Sequence, residues 1–422
     1  MHQRNISKNQ ELPDKRRAEL TFKPNQTQGR HGWLRLTPAY SVKLVADILN
    51  QKSCDLNVLD PFSGTATTPL YAAMLGHQAL GLEINPFLVW FGNVKLALYN
   101  QETILQTKSC SRKIVELVRS GSASATAPPP IFDIERWWAP NELDFLCRLL
   151  NDIDILSPTG GPVRNLLLCA FCRSMISLSN AAFNHQSLSF KPSARNLPQL
   201  TLFSERNQET FLDQFLRDVD FILAGAAENP IEQAQVILAD SRQIPKLFDG
   251  GIDLIVTSPP YPNRMSYIRE LRPYMYWLGF LKKAREAGEL DWNAIGGTWG
   301  IATSRVAHWR LDAQTYFPAC LHQVLDQIRS SDAKSGELLS RYVGKYFEDI
   351  WIHLLSVCKQ MKPRAEMHYI VGNSKFYEVN VPVELIFREM FQRLGVTSTE
   401  IIPLRKRNSK KELIEFDVVA VV

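Results

Sequence analysis

The chain has 422 residues, which is enough for one large α/β domain with inserts or for two domains. An apolar content of 45% is normal for a protein with a buried core, and no apolar run approaches the roughly eighteen residues of a membrane span. The net charge of +5 permits a nucleic-acid partner without requiring one. Seven thinly spread cysteines form no visible disulfide framework, which indicates a cytoplasmic protein.

The N-terminal part of the chain changes from a polar segment to alternating strands and helices. Residues 1–30 are polar and lack periodicity, so we expect a flexible arm. Residues 40–50 then have the apolar face of a helix. Residues 57–60 predict a strand, followed by a turn containing Gly64 and a helix that ends near residue 76.

The next predicted strand, residues 78–83, ends in Glu83. This acid follows the Gly64 turn at a spacing that commonly places a carboxylate on ribose hydroxyls. The turn does not have the GxGxxG pattern, which disfavours a dinucleotide. It also lacks the lysine of a phosphate loop, which disfavours ATP.

A mostly helical insert is predicted between the second and third strands of the sheet. Residues 101–119, 141–178 and 208–226 have helical apolar faces, and residues 121–130 predict an exposed linker. The insert contains a lone CxxC pair, Cys169 and Cys172. We interpret these as buried helix cysteines rather than a metal site, because no second pair follows at zinc spacing.

The sheet resumes with a strand that ends in Asp240, and the strand after it runs into Ser258-Pro259-Pro260-Tyr261. Two prolines stop this strand abruptly and leave backbone carbonyls that no strand can use. An aromatic ring and a hydroxyl are thereby fixed at the edge of the sheet where ligands bind in open α/β folds. Such a turn suits a flat ring that bears an amine.

Three predicted strands therefore end in a carboxylate: Asp60, Glu83 and Asp240. Carboxylates at neighbouring strand tips can accept hydrogen bonds from a donor-rich ligand. S-adenosylmethionine offers an α-amino group, two ribose hydroxyls and an adenine amine.

Two motifs give the chain a family resemblance. Residues 60–68, DPFSGTATT, are similar to the cofactor loop of the DNA amino-methyltransferases, which make N4-methylcytosine or N6-methyladenine, although a second glycine is usual where Thr65 or Ala66 stands. Residues 257–261, TSPPY, are similar to the catalytic motif of the same family, in the Ser form that is more typical of N4-cytosine enzymes. Further resemblance lies in residues 31–41, 362–374 and 415–422.

The resemblance implies a doubly wound, Rossmann-like α/β methyltransferase sheet, S-adenosylmethionine as cofactor and double-stranded DNA as substrate. Ser258 and the carbonyl of Pro259 would accept from the target amine, Pro260 would complete the turn, and Tyr261 would stack on a flipped cytosine. The candidate cofactor residues are Tyr40, Ser41, Asp60, Phe62, Ser63, Gly64, Thr65, Glu83, Asp240 and Ser241. The candidate DNA-contacting residues are Arg264, Arg269, Arg272, Lys282, Lys283, Arg405 and Arg407.

We expect the cofactor and catalytic parts to be separated by two inserts, either of which could read the target sequence. The predicted divisions are an arm over 1–30, a cofactor part over 31–98, a helical insert over 99–232, a catalytic part over 233–280, a second, smaller insert over 281–340, and C-terminal strands and helices over 341–422.

Several functions fit the motifs. N4-cytosine methylation with a cognate restriction endonuclease is the first interpretation, with no metal and no membrane involved. N6-adenine methylation, RNA base methylation and nucleic-acid binding without activity are the alternatives. The sequence gives neither the oligomeric state nor the target site.

Overall fold

The computed structural model describes residues 17–36, 39–53, 55–182, 189–190, 208–298, 300–331, 335–407 and 412–422. Its strands, in chain order, are β1 (Asn57–Asp60), β2 (Gln78–Glu83), β3 (Ala181–Ala182), β4 (Ser189–Phe190), β5 (Ala234–Leu238), β6 (Ile252–Thr257), β7 (Met361–Gly372), β8 (Ser374–Phe376), β9 (Val379–Val381), β10 (Ser398–Lys406) and β11 (Ile414–Val421).

Seven of these strands form the central sheet, in the order β10-β11-β7-β6-β1-β2-β5. The five strands from β7 to β5 run parallel, whereas β11 runs antiparallel to both of its neighbours, β7 and β10. After β1 the chain adds β2 and β5 on one side of that strand, and it then crosses to the other side of β1 to form β6. The carboxyl ends of β1 and β6 therefore border the crevice in which a doubly wound sheet binds ligands. This topology confirms the predicted fold class.

The helices cover both faces of the sheet and build the inserts. In chain order they are α1 (Val42–Leu49), α2 (Thr67–Met74), α3 (Pro86–Leu96), α4 (Gln101–Arg119), α5 (Pro140–Leu156), α6 (Pro162–Ser177), α7 (Gln208–Ala226), α8 (Tyr267–Trp277), α9 (Ala284–Asn293), α10 (Ile301–His308), α11 (Ala319–Ser330), α12 (Gly336–Cys358) and α13 (Val383–Arg393). In the ranges described above, no helix combines the length and the apolarity that a membrane crossing needs.

Residues 17–30 are ordered, in contrast to the flexible arm expected over residues 1–30. They contribute to three short 3-10 helices, and Leu20 packs against Leu44 and Ile370. Arg30 is fully buried, and its guanidinium donates to the carbonyl oxygens of Lys95, Ala97, Gly225 and Ala226 and to the side chain of Asn229. The polar composition predicted a loose segment. The contacts that hold Arg30 could not be predicted, because its five acceptors lie on elements distant in the chain. Residues 1–16 lie outside the described residues.

Helices α4 to α7 occupy the stretch in which the sequence predicts a helical insert. Their apolar faces share one hydrophobic core with α8, the helix that follows β6. In this core, Trp277 of α8 packs edge-on against Trp138 and Phe171, with ring centroids 5.5 Å apart in both pairs. Cys169 and Cys172 are fully buried in this core. The insert is thus continuous with the hydrophobic core beside the catalytic turn.

Residues 281–340, predicted as a second insert or long loop, contain α9, α10 and α11 and the first turn of α12. Buried Leu321, Leu325 and Ile328 of α11 share a core with α12. Helix α12 begins at Gly336, so it crosses the predicted division between residues 340 and 341. Residues 293–295, at the end of α9, reach the carboxyl edge of the sheet.

Candidate active site

A cavity of about 240 Å³ opens at the carboxyl ends of β1, β2, β5 and β6. On one side of β1, the cavity is bordered by the tips of β2 and β5; on the other side, it is bordered by the turn after β6 and by the final hairpin of β10 and β11. Leu20, Thr21 and Phe22 of the N-terminal segment and residues 293–295 complete the lining. We call the first side the cofactor end and the second side the catalytic end.

The glycine turn after β1 forms the floor of the cofactor end. Gly64 has a φ of +50°, a left-handed conformation that suits glycine, and its amide donates to Glu83 Oε2 at 2.9 Å. Ser63 is buried and lies behind this turn, because a Cβ added at Gly81 would come within 2.3 Å of its Oγ. Ser63 therefore supports the turn rather than lining the cavity.

Glu83 is the carboxylate of β2 that borders the cavity. Its Oε1 accepts from the Asn85 amide and its Oε2 from the Gly64 amide, both at 2.9 Å. Burial raises the pKa of Glu83 to about 7, although both backbone hydrogen bonds favour the charged form. Asn85 lines the cavity too and caps α3, a role that the Asn-Pro start of that helix could have indicated.

Asp60 does not line the cavity, in contrast to its predicted contact with the cofactor. It is fully buried, and its Oδ1 accepts from Thr257 Oγ1 at 2.6 Å and from the Phe62 amide at 3.1 Å. The Tyr40 hydroxyl lies 3.4 Å from Oδ2. Burial raises the pKa of Asp60 to about 6. Asp60 therefore joins the ends of β1 and β6, while Tyr40 itself borders the cavity.

Asp240 borders the cofactor end but is already paired. Arg242 Nη2 donates to its Oδ2 at 2.7 Å, and the same guanidinium reaches Asp349 Oδ1 and the carbonyl of Asn293, both at 2.8 Å. Burial opposes ionisation of Asp240, but the hydrogen bonds from Arg242 outweigh it and lower its pKa. Arg242 thus ties the carboxylate to the end of α9 and to α12. Sequence reasoning missed Arg242, because its partners on α9 and α12 are distant in the chain.

The remaining predicted cofactor residues divide into two groups. Ser41, Phe62 and Ser241 line the cavity. The Ser41 hydroxyl donates to the Glu19 carbonyl at 3.3 Å, and the Phe62 ring packs edge-on against His353 at 4.6 Å. Thr65 is buried and pairs with Thr67 at 3.2 Å, so it belongs to the start of α2 rather than to the cavity wall.

Ser258 and Pro259 present acceptors at the catalytic end. The Ser258 hydroxyl donates to the Ile370 carbonyl at 3.1 Å and lies 3.4 Å from the Tyr261 hydroxyl. The Pro260 carbonyl accepts from Tyr346 at 2.8 Å, whereas the Pro259 carbonyl meets no donor in the described parts of the chain. With its proton directed to Ile370, the Ser258 oxygen keeps lone pairs for an incoming donor.

Tyr261 is held by the final hairpin. Its hydroxyl donates to Glu415 Oε1 at 2.8 Å, and Arg405 binds the same carboxylate through Nε and Nη2 at 2.7 and 3.1 Å. The Arg407 guanidinium lies 4.9 Å from the centroid of the Tyr261 ring, within cation–π range. Arg405 and Arg407, predicted to contact DNA phosphates from a basic loop, instead fold back onto the catalytic turn. Residues 408–411 of that loop lie outside the described residues.

The other predicted DNA-contacting residues lie between the turn and α8, on α8 and just before α9. Arg264, Lys282 and Lys283 are exposed, whereas Arg269 and Arg272 are half-buried. Arg272 Nε donates to the Arg269 carbonyl at 3.1 Å, and burial lowers the pKa of Arg272. Of the predicted contacts that follow the catalytic turn, Arg264 and the Lys282–Lys283 pair are therefore the exposed ones.

Curated type II methyltransferases are similar to this chain over most of its length. M.BsoBI of Geobacillus stearothermophilus is 20% identical over 444 aligned positions, covering 96% of this chain and 86% of that protein. M.MvaI of Kocuria varians is 21% identical, covering 80% and 74%. M.AvaI of Nostoc sp. is 21% identical, covering 94% and 86%. No family model matches the chain.

The homologues of this chain are type II DNA methyltransferases. This finding confirms the resemblance inferred from the cofactor loop and the Ser-Pro-Pro-Tyr motif, and it is consistent with the N4-cytosine type. Because the match to M.BsoBI covers 96% of the chain, neither insert falls outside it.

Proposed function

We propose that the protein is an S-adenosylmethionine-dependent DNA methyltransferase that methylates the N4 amine of cytosine. The observation that carries the proposal is the single cavity: Glu83 and Asp240 border one end, and Ser258, Pro259 and Tyr261 border the other. A methyl donor and an amine can therefore meet within the same cavity, and this proximity is the main requirement of a direct transfer.

The residues of the cofactor end fit a cationic, donor-rich ligand. Glu83 and Asp240 supply carboxylate oxygens, and the left-handed Gly64 lets a ligand approach the backbone. S-adenosylmethionine, when bound, supplies an electrophilic methyl group on a sulfonium. Tyr40, Ser41, Phe62 and Ser241 would complete its surroundings.

The catalytic end fits an exocyclic amine. Such an amine is a poor nucleophile because its lone pair is delocalised into the ring. Acceptors on its two protons, here Ser258 Oγ and the Pro259 carbonyl, localise the lone pair and orient it. Tyr261 offers an aromatic face for the base, and base–aromatic stacking is worth roughly 1–3 kcal/mol. The target must leave the duplex to reach this site.

Double-stranded DNA is the proposed substrate, and the exposed Arg264, Lys282 and Lys283 are the proposed phosphate contacts. The relatives are named type II methyltransferases, which supports a role in restriction–modification beside a cognate endonuclease in the cytoplasm. Ser258, in place of the Asp or Asn usual in N6-adenine enzymes, favours cytosine.

The test is to incubate duplex DNA with methyl-labelled cofactor and to identify the methylated nucleoside by mass spectrometry. N4-methylcytosine is the expected product, and Ser258→Ala is the matched negative control. N6-methyladenine as the sole product would overturn the base assignment but keep the chemistry. 5-Methylcytosine would overturn the mechanism, and label in RNA alone would overturn the substrate.

A further inference from the structure

The final hairpin places a hydrogen-bond donor beside the acceptors of the catalytic end. Arg405 and Glu415 both line the cavity, with side chains only 16% and 6% exposed. Ser258, Tyr261, Glu415 and Arg405 form a continuous series of contacts of 3.4, 2.8 and 3.1 Å. The guanidinium of Arg405 therefore lies on the same side of the cavity as Ser258, the proposed acceptor of the target amine.

One terminal nitrogen of this guanidinium is available to a ligand. Nε and Nη2 of Arg405 donate to Glu415, whereas Nη1 has no protein acceptor within the described ranges. Glu415 fixes the orientation of the planar group through two parallel hydrogen bonds. An arginine held in this way offers donors in a fixed direction and at little further entropic cost.

The two candidate bases differ at the position that such a donor would meet. Cytosine presents its N4 amine, then the N3 acceptor, then the O2 acceptor. Adenine presents its N6 amine, then the N1 acceptor, then a C–H group that accepts nothing. A cytosine amine bound to Ser258 and Pro259 leaves O2 in need of a donor, since an unpaired buried carbonyl costs about 1–3 kcal/mol.

We infer that Arg405 is a specificity-determining residue that donates to the O2 edge of the flipped cytosine, with Glu415 as its positioning partner. This inference rests on the proposed function and adds the reason that the site takes cytosine. Adenine would leave the Arg405 donor facing a C–H group, and a site built to pair a polar group discriminates strongly against a ligand that lacks it.

The experiment compares cytosine with 2-thiocytosine at the target position, because sulfur is a much weaker acceptor than oxygen. The duplex carries the enzyme's own site, mapped first by sequencing plasmid DNA that the wild-type protein has methylated. For the wild-type protein, kcat/KM should fall about 10-fold or more on thio substitution, the loss expected for a hydrogen bond to a charged donor.

Arg405→Met should lower kcat/KM for cytosine by about 10- to 100-fold and bring the two bases within about 3-fold of each other. Arg405→Lys should restore part of the preference. Glu415→Gln keeps an acceptor oxygen for only one of the two Arg405 donors, so the guanidinium is less firmly oriented and the preference should fall, though by less than in Arg405→Met. Arg112→Met, the same substitution at an exposed position of α4 outside the proposed site, should leave the ratio at the wild-type value.

A purely structural role for Arg405 would lower the rate of Arg405→Met while leaving the wild-type ratio unchanged, and that result would overturn the inference. Melting temperature and cofactor affinity separate a folding defect from a change in preference. If Arg405→Met does not fold, equal rates on the two bases by the wild-type protein still overturn the inference. Absence of any cytosine methylation by the wild-type protein would contradict the proposed function as well.

Discussion

The two ends of the cavity are built in different ways. At the cofactor end, Glu83 is held by the amides of Gly64 and Asn85, which belong to the adjoining turns of the sheet. At the catalytic end, Ser258 and Tyr261 are held by Ile370 and Glu415, from strands more than a hundred residues later. The cofactor end is therefore supported by backbone close to the strand tips, whereas the catalytic end depends on a carbonyl of β7 and on side chains of the final hairpin.

The largest effect is expected at the catalytic end. Ser258→Ala removes an acceptor for an amine that gains positive charge during transfer, so kcat should fall roughly 10- to 100-fold. Cofactor affinity should remain near the wild-type value, because Ser258 lies away from Glu83 and Asp240. Single-turnover kinetics and calorimetry measure the two quantities. A parallel loss of cofactor affinity would show that the two ends are not separable in this way.

Substitution of Glu83 and Asp60 should have different effects, because Glu83 borders the cavity whereas Asp60 is buried in the interior. Glu83→Ala should weaken S-adenosylmethionine binding by about 1–3 kcal/mol, because the ligand loses its hydrogen bond to a cavity-lining carboxylate. Asp60→Ala should act chiefly on the melting temperature, since Asp60 bonds Thr257 and the Phe62 amide in the interior. Calorimetry and thermal unfolding distinguish the pair. Unchanged cofactor affinity in Glu83→Ala would show that Glu83 does not contact the cofactor.

The pH dependence of stability should report the burial of Glu83. Its folded-state pKa of about 7 lies above the ordinary value of 4.5, so the folded protein holds a proton that the unfolded chain releases between these two values. Stability therefore falls as pH rises through this window, by up to about 3 kcal/mol. Glu83→Gln should flatten the slope of melting temperature against pH between about 5 and 7. The exposed Glu209→Gln is the control, and an unchanged slope in Glu83→Gln would contradict this prediction.

The smallest effect is expected in the salt dependence of DNA binding. Replacing Arg264 or Lys283 by glutamine should reduce the slope of log affinity against log salt by up to about one unit each. Arg407→Gln should leave the slope unchanged, because its guanidinium covers the Tyr261 ring rather than facing solvent. Binding titrations at several salt concentrations test both statements. A reduced slope for Arg407→Gln would contradict this prediction and would indicate that the final hairpin contacts DNA phosphates.

The sequence predicted the parts of the site that depend on local chemistry. Strand tips, the glycine turn and the Ser-Pro-Pro-Tyr turn follow from apolar runs and from proline and glycine, and the structure gathers Glu83, Asp240 and Ser258 around one cavity. Asp60 carries the same sequence signal as Glu83, yet its strand lies deeper, between β2 and β6, and its carboxylate is buried.

The parts that could not be predicted depend on partners distant in the chain. Arg405 and Arg407 stand in a basic run that is typical of a solvated or phosphate-binding loop, and only the register of β11 beside β7 brings Glu415 to Tyr261. The same limit applies to Arg242, whose three partners come from the tip of β5, α9 and α12. Each of these contacts is set by tertiary packing, which leaves no periodic pattern in the sequence.

The buried Arg30 has a practical consequence for handling the protein. Five oxygen atoms from α3, α7 and the segments that follow them converge on one guanidinium near the start of the chain. A fusion boundary or protease cut placed before residue 17 leaves this junction whole. A boundary placed after residue 30 removes the common donor from all five acceptors at once, so the junction between the two helices would lose stability although neither helix is altered.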